Sequence, residues 1–247
     1  MIFFNPFIYF LFFLFALIYS SVGLGGGSAY VALMSFCGVS HKFIPSTSLF
    51  LNVLASLIAF LNYRIHIDFK NRFKFLTLLY LLSLTGVYIG AKIVIERKLF
   101  MIVLGLVLIL LSIISILENF IKKLKIRIKI SFVPLFGFIA GIIAGLLGIG
   151  GGILVSSVLI FSGIGEKEIP GILSFFVMIN SLFGFIIHFI RGNVNFNLIL
   201  PITFSVFLGS IIGSFAGSYK LKPIYVKKIL NLIILSFGVK ILWDSFL

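Results

Sequence analysis

Ten apolar runs follow one another along this chain, at 2–21, 28–38, 45–62, 73–91, 99–117, 132–147, 153–163, 170–190, 197–217 and 225–246. Lipid offers no partner to a bare N–H or C=O, so only helices and closed barrels cross it. The runs are continuous, without the alternation of barrel strands. The expectation is an all-α integral membrane protein. Composition agrees: 61% of the 247 residues are apolar and 11% charged, where a soluble domain carries about a quarter charged residues. At about 20 residues per span, nothing remains for a sizeable soluble domain. A single cysteine, Cys37, excludes a disulfide framework and a multi-thiolate metal site. The first run has no Lys or Arg between Met1 and Ser20. It lacks the basic start of a secretory signal and reads as a retained span.

Two runs are short. Segments 28–38 and 153–163 cover about 16 Å as helices, half the hydrocarbon thickness, and glycines precede each. They read as half-helices starting from a break near mid-membrane. The flanking sequences match: Val22-Gly23-Leu24-Gly25-Gly26-Gly27 pairs with Leu147-Gly148-Ile149-Gly150-Gly151-Gly152 at an offset of 125. The same offset relates Phe36 to Phe161, Gly38 to Gly163 and Pro45 to Pro170. After a slip of two or three residues, Asn52 falls opposite Asn180, and Ile67-Asp68-Phe69 opposite Val194-Asn195-Phe196. Gly86 and Gly90 then match Gly209 and Gly213. The chain is thus expected to be two membrane repeats, 1–117 and 132–247, joined by a basic connector at 118–131. Pro45, Pro170 and Pro201 are placed at or near helix starts, where a missing N–H does no harm.

The net charge of +14 is not a nucleic-acid signal here, because the basic residues sit in short loops between apolar runs. There they act as orientation signals and headgroup contacts. If all ten segments cross, loops after odd-numbered segments carry 14 of the 20 Lys and Arg. That side is then cytoplasmic, both termini are outside, and five segments per half make the repeats inverted. Secondary transporters with inverted repeats place their site between them. The loop 92–98 disagrees: it holds Lys92, Arg97 and Lys98 on the poorer side. If each short segment merely completes the preceding span, the repeats are parallel and the split is 11 against 9.

A triple glycine breaks one helix and starts another. The new N-terminus presents about four unpaired N–H groups and roughly half a positive charge, an anion site made of backbone. Gly25, Gly26 and Gly27 with Ser28, and Gly150, Gly151 and Gly152 with Ile153, are the candidate donors. Two such ends would hold a small oxyanion without a buried Lys or Arg. Ser46, Thr47, Ser48, Asn52, Ser174 and Asn180 lie at comparable depth and would shape the cavity. Close packing is the competing role for any glycine. Consecutive glycines do not form a packing face, whereas Gly86/Gly90 and Gly209/Gly213/Gly217 recur every four residues and are assigned to packing.

All six acids, Asp68, Glu96, Glu118, Glu166, Glu168 and Asp244, fall in loops or near segment ends. A cation pathway would place a carboxylate in the membrane. His188 is assigned to the interface, and His41 and His66 to loops without metal partners. Lys92 and Lys240 are expected to snorkel. Cys37 has no base beside it, and no GxSxG, HExxH or Walker pattern occurs. Neither an enzyme, a cofactor nor a metal site is expected.

The chain resembles the TauE/SafE family of membrane permeases, named for sulfite export. The resemblance rests on GLGGG at 23–27, Pro-Ser-Thr-Ser-Leu at 45–49, Ile67-Asp68-Phe69, GIGGG at 148–152, Gly192-Asn193-Val194-Asn195-Phe196 and the Gly209/Gly213/Gly217 ladder. It implies movement of sulfur oxyanions or organosulfonates. Family members often carry a proline after the triple glycine, where this chain has Ala32 and Ser157. They often carry a tryptophan where it has Phe69 and Phe196. The expected protein is a small-anion permease of a prokaryotic inner membrane, working by alternating access around the two breaks. Its partners are a small anion and membrane lipids, with no nucleic acid; homo-oligomerisation stays open. The rival is a membrane-embedded accessory or scaffold subunit without transport activity.

Overall fold

The computed structural model describes residues 5–123, 128–219 and 224–246, without the side chains of 118–123, 219 and 224–230. Among them lie ten α-helices: α1 (Pro6–Ser20), α2 (Gly27–Phe36), α3 (Ile44–Tyr63), α4 (Phe69–Lys92), α5 (Arg97–Lys123), α6 (Val133–Leu147), α7 (Gly152–Phe161), α8 (Ile169–Ile190), α9 (Phe196–Tyr219) and α10 (Ile224–Phe246). Six helical stretches within 44–218 are long and apolar enough to cross a membrane. Each apolar run has become one helix.

Local chemistry sets the boundaries. Asn5 caps α1, its Oδ1 accepting from Phe7 N at 3.0 Å. Pro6, Pro45, Pro134 and Pro170 stand in the first turns of α1, α3, α6 and α8. Asp68 caps α4 by accepting from Asn71 N. Its counterpart Asn195 offers a carbonyl to Leu198 N and Ile199 N at 3.2 Å. That earlier start corrects the placing of Pro201, which lies inside α9, as membrane helices tolerate where neighbours satisfy the freed carbonyl. α5 continues to Lys123, so the basic stretch 118–131 begins as helix; 124–127 lie outside the described residues. Exposed Phe73, Leu106, Leu200, Phe204 and many similar side chains form the lipid-facing exterior.

Helix pairing repeats with a shift of five. α1 packs on α9 as α6 packs on α4; α3 meets α9 as α8 meets α4; α2 meets α10 as α7 meets α5. α3 with α8, and α5 with α10, pair with their own counterparts. Each half therefore packs chiefly against the other. α3 and α8 run antiparallel: Phe50 stacks near Phe185 at 5.3 Å between centroids, and Phe60 near Phe175 at 4.9 Å. α5 and α10 are antiparallel too, with Gly105 facing Leu242 and Asn231 Nδ2 donating to Ser115 Oγ at 2.6 Å.

The glycine ladders lie where assigned. A Cβ on Gly209, Gly213 or Gly217 would strike the main chain of α1 at Phe13, Leu17 or Ser21. On the α4–α6 contact, Gly86 and Gly90 meet the main chain at Phe138 and Ile142, while Gly141 and Gly145 meet Ser83 and Val87. Backbones approach this closely only where side chains are absent.

Candidate functional site

The two glycine breaks meet at one buried place. A Cβ on Gly27 would lie 2.7 Å from Ile149 O; one on Gly152 would lie 2.7 Å from Leu24 Cδ2. Each break is held from outside by the other half: Gly23 abuts Pro170 and Gly148 abuts Pro45. Gly23, Gly26, Gly148, Gly150 and Gly151 all have positive φ, between +72° and +96°. An L side chain there costs about 1–2 kcal/mol, so the turns require glycine.

From this meeting point the half-helices run to opposite ends of the fold. Both have ten residues, and left-handed Gly26 and Gly151 start them without a side-chain cap. α2 ends near the start of α5, where Phe36 and Arg97 line one basin. α7 ends near the segment after α5, where Ile128 N donates to Phe161 O at 2.9 Å. Ala29 N and Tyr30 N turn back to Gly26 O at 3.0 Å. That leaves the N–H groups of Gly27 and Ser28 without helical acceptors, as geometry requires in a first turn. Gly152 and Ile153 hold the matching places on α7.

Between the two N-termini lies a cavity of only about 10 Å³, lined by Tyr19, Leu24, Gly25–Ser28, Ile149, Gly152, Ile153 and Val177. That is about one water. The breaks are closed upon each other.

The polar candidates divide into two groups. Several are tied to main-chain carbonyls. Ser46 Oγ reaches Asn193 O at 2.5 Å and Phe43 O at 3.1 Å. Ser48 Oγ donates to Gly148 O at 2.7 Å, with Gly27 O 3.3 Å away. Asn52 Nδ2 donates to Gly148 O at 3.3 Å. Ser174 Oγ turns back to Gly171 O at 2.9 Å. Ser48 and Asn52 thereby clasp the second break from the first half. Asn180 stands apart from the cavity wall; its Oδ1 accepts from Ser83 Oγ at 2.9 Å. The Ser28 and Tyr19 side chains hydrogen-bond to each other. The second group is unsatisfied: Tyr30 Oη, Thr47 Oγ1, Asn52 Oδ1 and Ser181 Oγ are buried without a hydrogen-bond partner. Asn52 Oδ1 faces Gly25, where a Cβ would sit 2.6 Å away, and the Tyr30 hydroxyl stands against Gly26.

The structural partner of Asn52 is Val177, which corrects the pairing with Asn180. Asn52 flanks Gly25, Gly27 and Gly150; Val177 flanks Gly25, Gly150 and Gly152. The offset of 125 thus persists through most of α8, and the slip falls at its end, since α8 has 22 residues against 20 in α3. Thr47 and Ser48 likewise answer Ile172 and Leu173. Around the breaks the polar groups come mainly from the first half, with Ser181 from the second, while Ile149, Ile153 and Val177 form an apolar wall. Tyr19, Tyr30 and Val177 were missed from sequence. Tyr19 and Tyr30 flank the first glycine motif, and strict use of the offset would have located Val177.

The family model described as Sulfite exporter TauE/SafE matches residues 8–241. The chain belongs to that family. It is a TauE/SafE membrane transporter, a multi-pass integral membrane protein. A relative named "Probable membrane transporter protein y4hK", from Sinorhizobium fredii, is 27% identical over 94% of this chain and 96% of its own length. An Arabidopsis thaliana protein named "Sulfite exporter TauE/SafE family protein 5" is 32% identical over 32% of this chain and 18% of its own. No solved structure matches this TauE/SafE chain.

Proposed function

We propose that this transporter moves small anions, of the sulfur oxyanion or organosulfonate class, by alternating access about the two glycine breaks, in a prokaryotic inner membrane. The observation that carries this reading is the meeting of two uncapped helix N-termini at one buried place, with Gly25–Ser28 facing Gly152 and Ile153. Such ends attract negative charge. Gly150, Gly151, Thr47, Asn52 and Ser48 border the passage, while Ser46, Ser174 and Asn180 brace the helices around it. Residues 1–117 and 132–247 act as inverted repeats joined through 118–131. The antiparallel course of α3 against α8, and of α5 against α10, supports inversion, because an axis along the membrane normal would leave counterparts parallel. The family's description and the Arabidopsis thaliana relative's name support the substrate class.

The test is thermal stabilisation of detergent-purified protein by sulfite, thiosulfate, sulfate, a sulfonate, chloride and acetate at fixed ionic strength. A ligand of the folded state at a hundredfold excess over its Kd adds about 2.7 kcal/mol. We expect one or two sulfur anions to stabilise, and Gly26→Val and Gly151→Val to lose that response and transport while still inserting. A flat panel with no anion flux in proteoliposomes would favour the accessory or scaffold role.

A further inference from the structure

At the far end of α2 from the glycine break, three helix ends enclose an open basin of about 560 Å³. The end of α2 supplies Ser35 and Phe36, the start of α5 supplies Arg97 and Lys98, and the end of α10 supplies Lys240 and Asp244. Three cations thus face one carboxylate. Among the described residues the ion pair formed is Arg72 with Glu168, away from this basin. Arg97, Lys98 and Lys240 keep their charges unpaired. Lys240 Nζ sits 4.8 Å from the centroid of the Phe36 ring, which fixes it over the basin wall. Ser35 Oγ is buried and lacks a partner. The 27-residue helix α5 begins here, adding first-turn N–H groups and the positive end of its dipole.

The sequence offers a second, independent reason to look here. Arg97 and Lys98 belong to the loop whose charges ran against the positive-inside pattern. Contacts at the helix ends place α2's end, α5's start and α10's end together, on the side poorer in Lys and Arg. Orientation does not call for cations there, whereas binding does. α2 has ten residues, so the basin lies about 15 Å from the glycine break and is a separate site.

We propose that this basin binds an oxyanion group: the phosphate of an anionic lipid headgroup, or a small free oxyanion of the sulfate type. Arg and Lys donors make charge-assisted hydrogen bonds with the oxygens of either. The proposal stands whether or not the glycine breaks carry substrate.

Trp243 is the chain's single tryptophan and adjoins Asp244 at the basin. In phosphatidylcholine vesicles, its quenching by brominated phosphatidylglycerol is titrated against brominated phosphatidylcholine. In a second arm, without anionic lipid, Trp243 emission is followed as sodium sulfate replaces sodium gluconate at fixed ionic strength. We expect saturable binding in one arm, which names the source. R97Q/K98Q/K240Q should weaken it at least tenfold, with Lys98→Gln alone weakening it about threefold. Lys92→Gln removes the same charge outside the basin, where Lys92 engages the Tyr88 hydroxyl, and should leave binding unchanged. Circular dichroism checks that each variant folds. Absence of saturable binding in both arms, or binding that Lys98→Gln and the triple variant retain, would overturn the proposal.

Discussion

Tyr63 and His188 hold equivalent places in the two halves, 125 residues apart, and each reaches a carbonyl near the end of the helix that leads into a glycine break. Tyr63 Oη donates to Ser21 O at 2.7 Å, and Ser21 caps α1. His188 Nε2 lies 2.9 Å from Gly145 O, in the last turn of α6. A carbonyl only accepts, so Nε2 carries the proton. These side chains brace the two helix ends from which the breaks hang. Tyr63→Phe should lower stability by about 1 kcal/mol, and His188→Leu should cost more than His188→Gln, which keeps a donor. Unfolding in mild detergent measures both; an unaltered Tyr63→Phe protein would refute the bracing role.

Packing at the α1–α9 crossing predicts a steric failure. Gly213 faces the Leu17 main chain with no room for a Cβ, so Gly213→Leu should abolish monodisperse folded protein. Gly38→Ala is the comparison. Gly38 has φ +73° but open space around it, so only the left-handed strain of about 1–2 kcal/mol applies. Size-exclusion profiles of the two variants should differ sharply.

The one-sided polarity of the breaks predicts an asymmetric pair of exchanges. Asn52→Val copies Val177 and removes the amide that holds Gly148 O. It should fold, lose about 1 kcal/mol, and weaken anion-dependent stabilisation at least tenfold. Val177→Asn adds a donor to the apolar wall and should keep that stabilisation. Equal responses from both variants would show that the asymmetry has no bearing on binding.

Asp68 predicts a pH dependence. Its carboxylate is held below the usual range by the Asn71 backbone N–H first, then by the Asn71 side-chain amide, with the charges of Arg72 and Lys70 adding to this. A depressed value means stability present above the unfolded value, about 3.9, and lost as pH falls through the folded one. The stability gap between wild type and Asp68→Ala should be constant above about pH 5 and narrow below pH 4. A gap that widens on acidification would contradict the capping role.

The helices were legible because lipid removes the choice: a continuous apolar run has no other way to satisfy its backbone. The break positions were legible from Gly25–Gly27 and Gly150–Gly152, since consecutive glycines do not propagate a helix; that the same breaks also pack against Ile149, Pro45 and Pro170 was not. The partner of Asn52 was not. Matching asparagine to asparagine followed side-chain identity, whereas the fold preserves position, and Val177 keeps its place while changing its chemistry. The bonds of Ser48 and Asn52 to Gly148 O were also hidden, because a hydroxyl near a site reads alike whether it faces a substrate or a carbonyl 100 residues away. Pro201 misled because the start of α9 is set by Asn195, six residues earlier.

The exchange of partners between halves bears on how the chain is made. α1 leaves the ribosome before α9, and the α9 groove that receives its Phe13–Ser21 edge is synthesised roughly two hundred residues later. Until then α1 must wait in lipid, with Gly23 lacking the Pro170 backbone against which it turns. Synthesis at about 5–20 residues per second makes that wait on the order of ten seconds or more. Neither half can mature alone, and a chain interrupted between them is left with two incomplete surfaces instead of one finished domain.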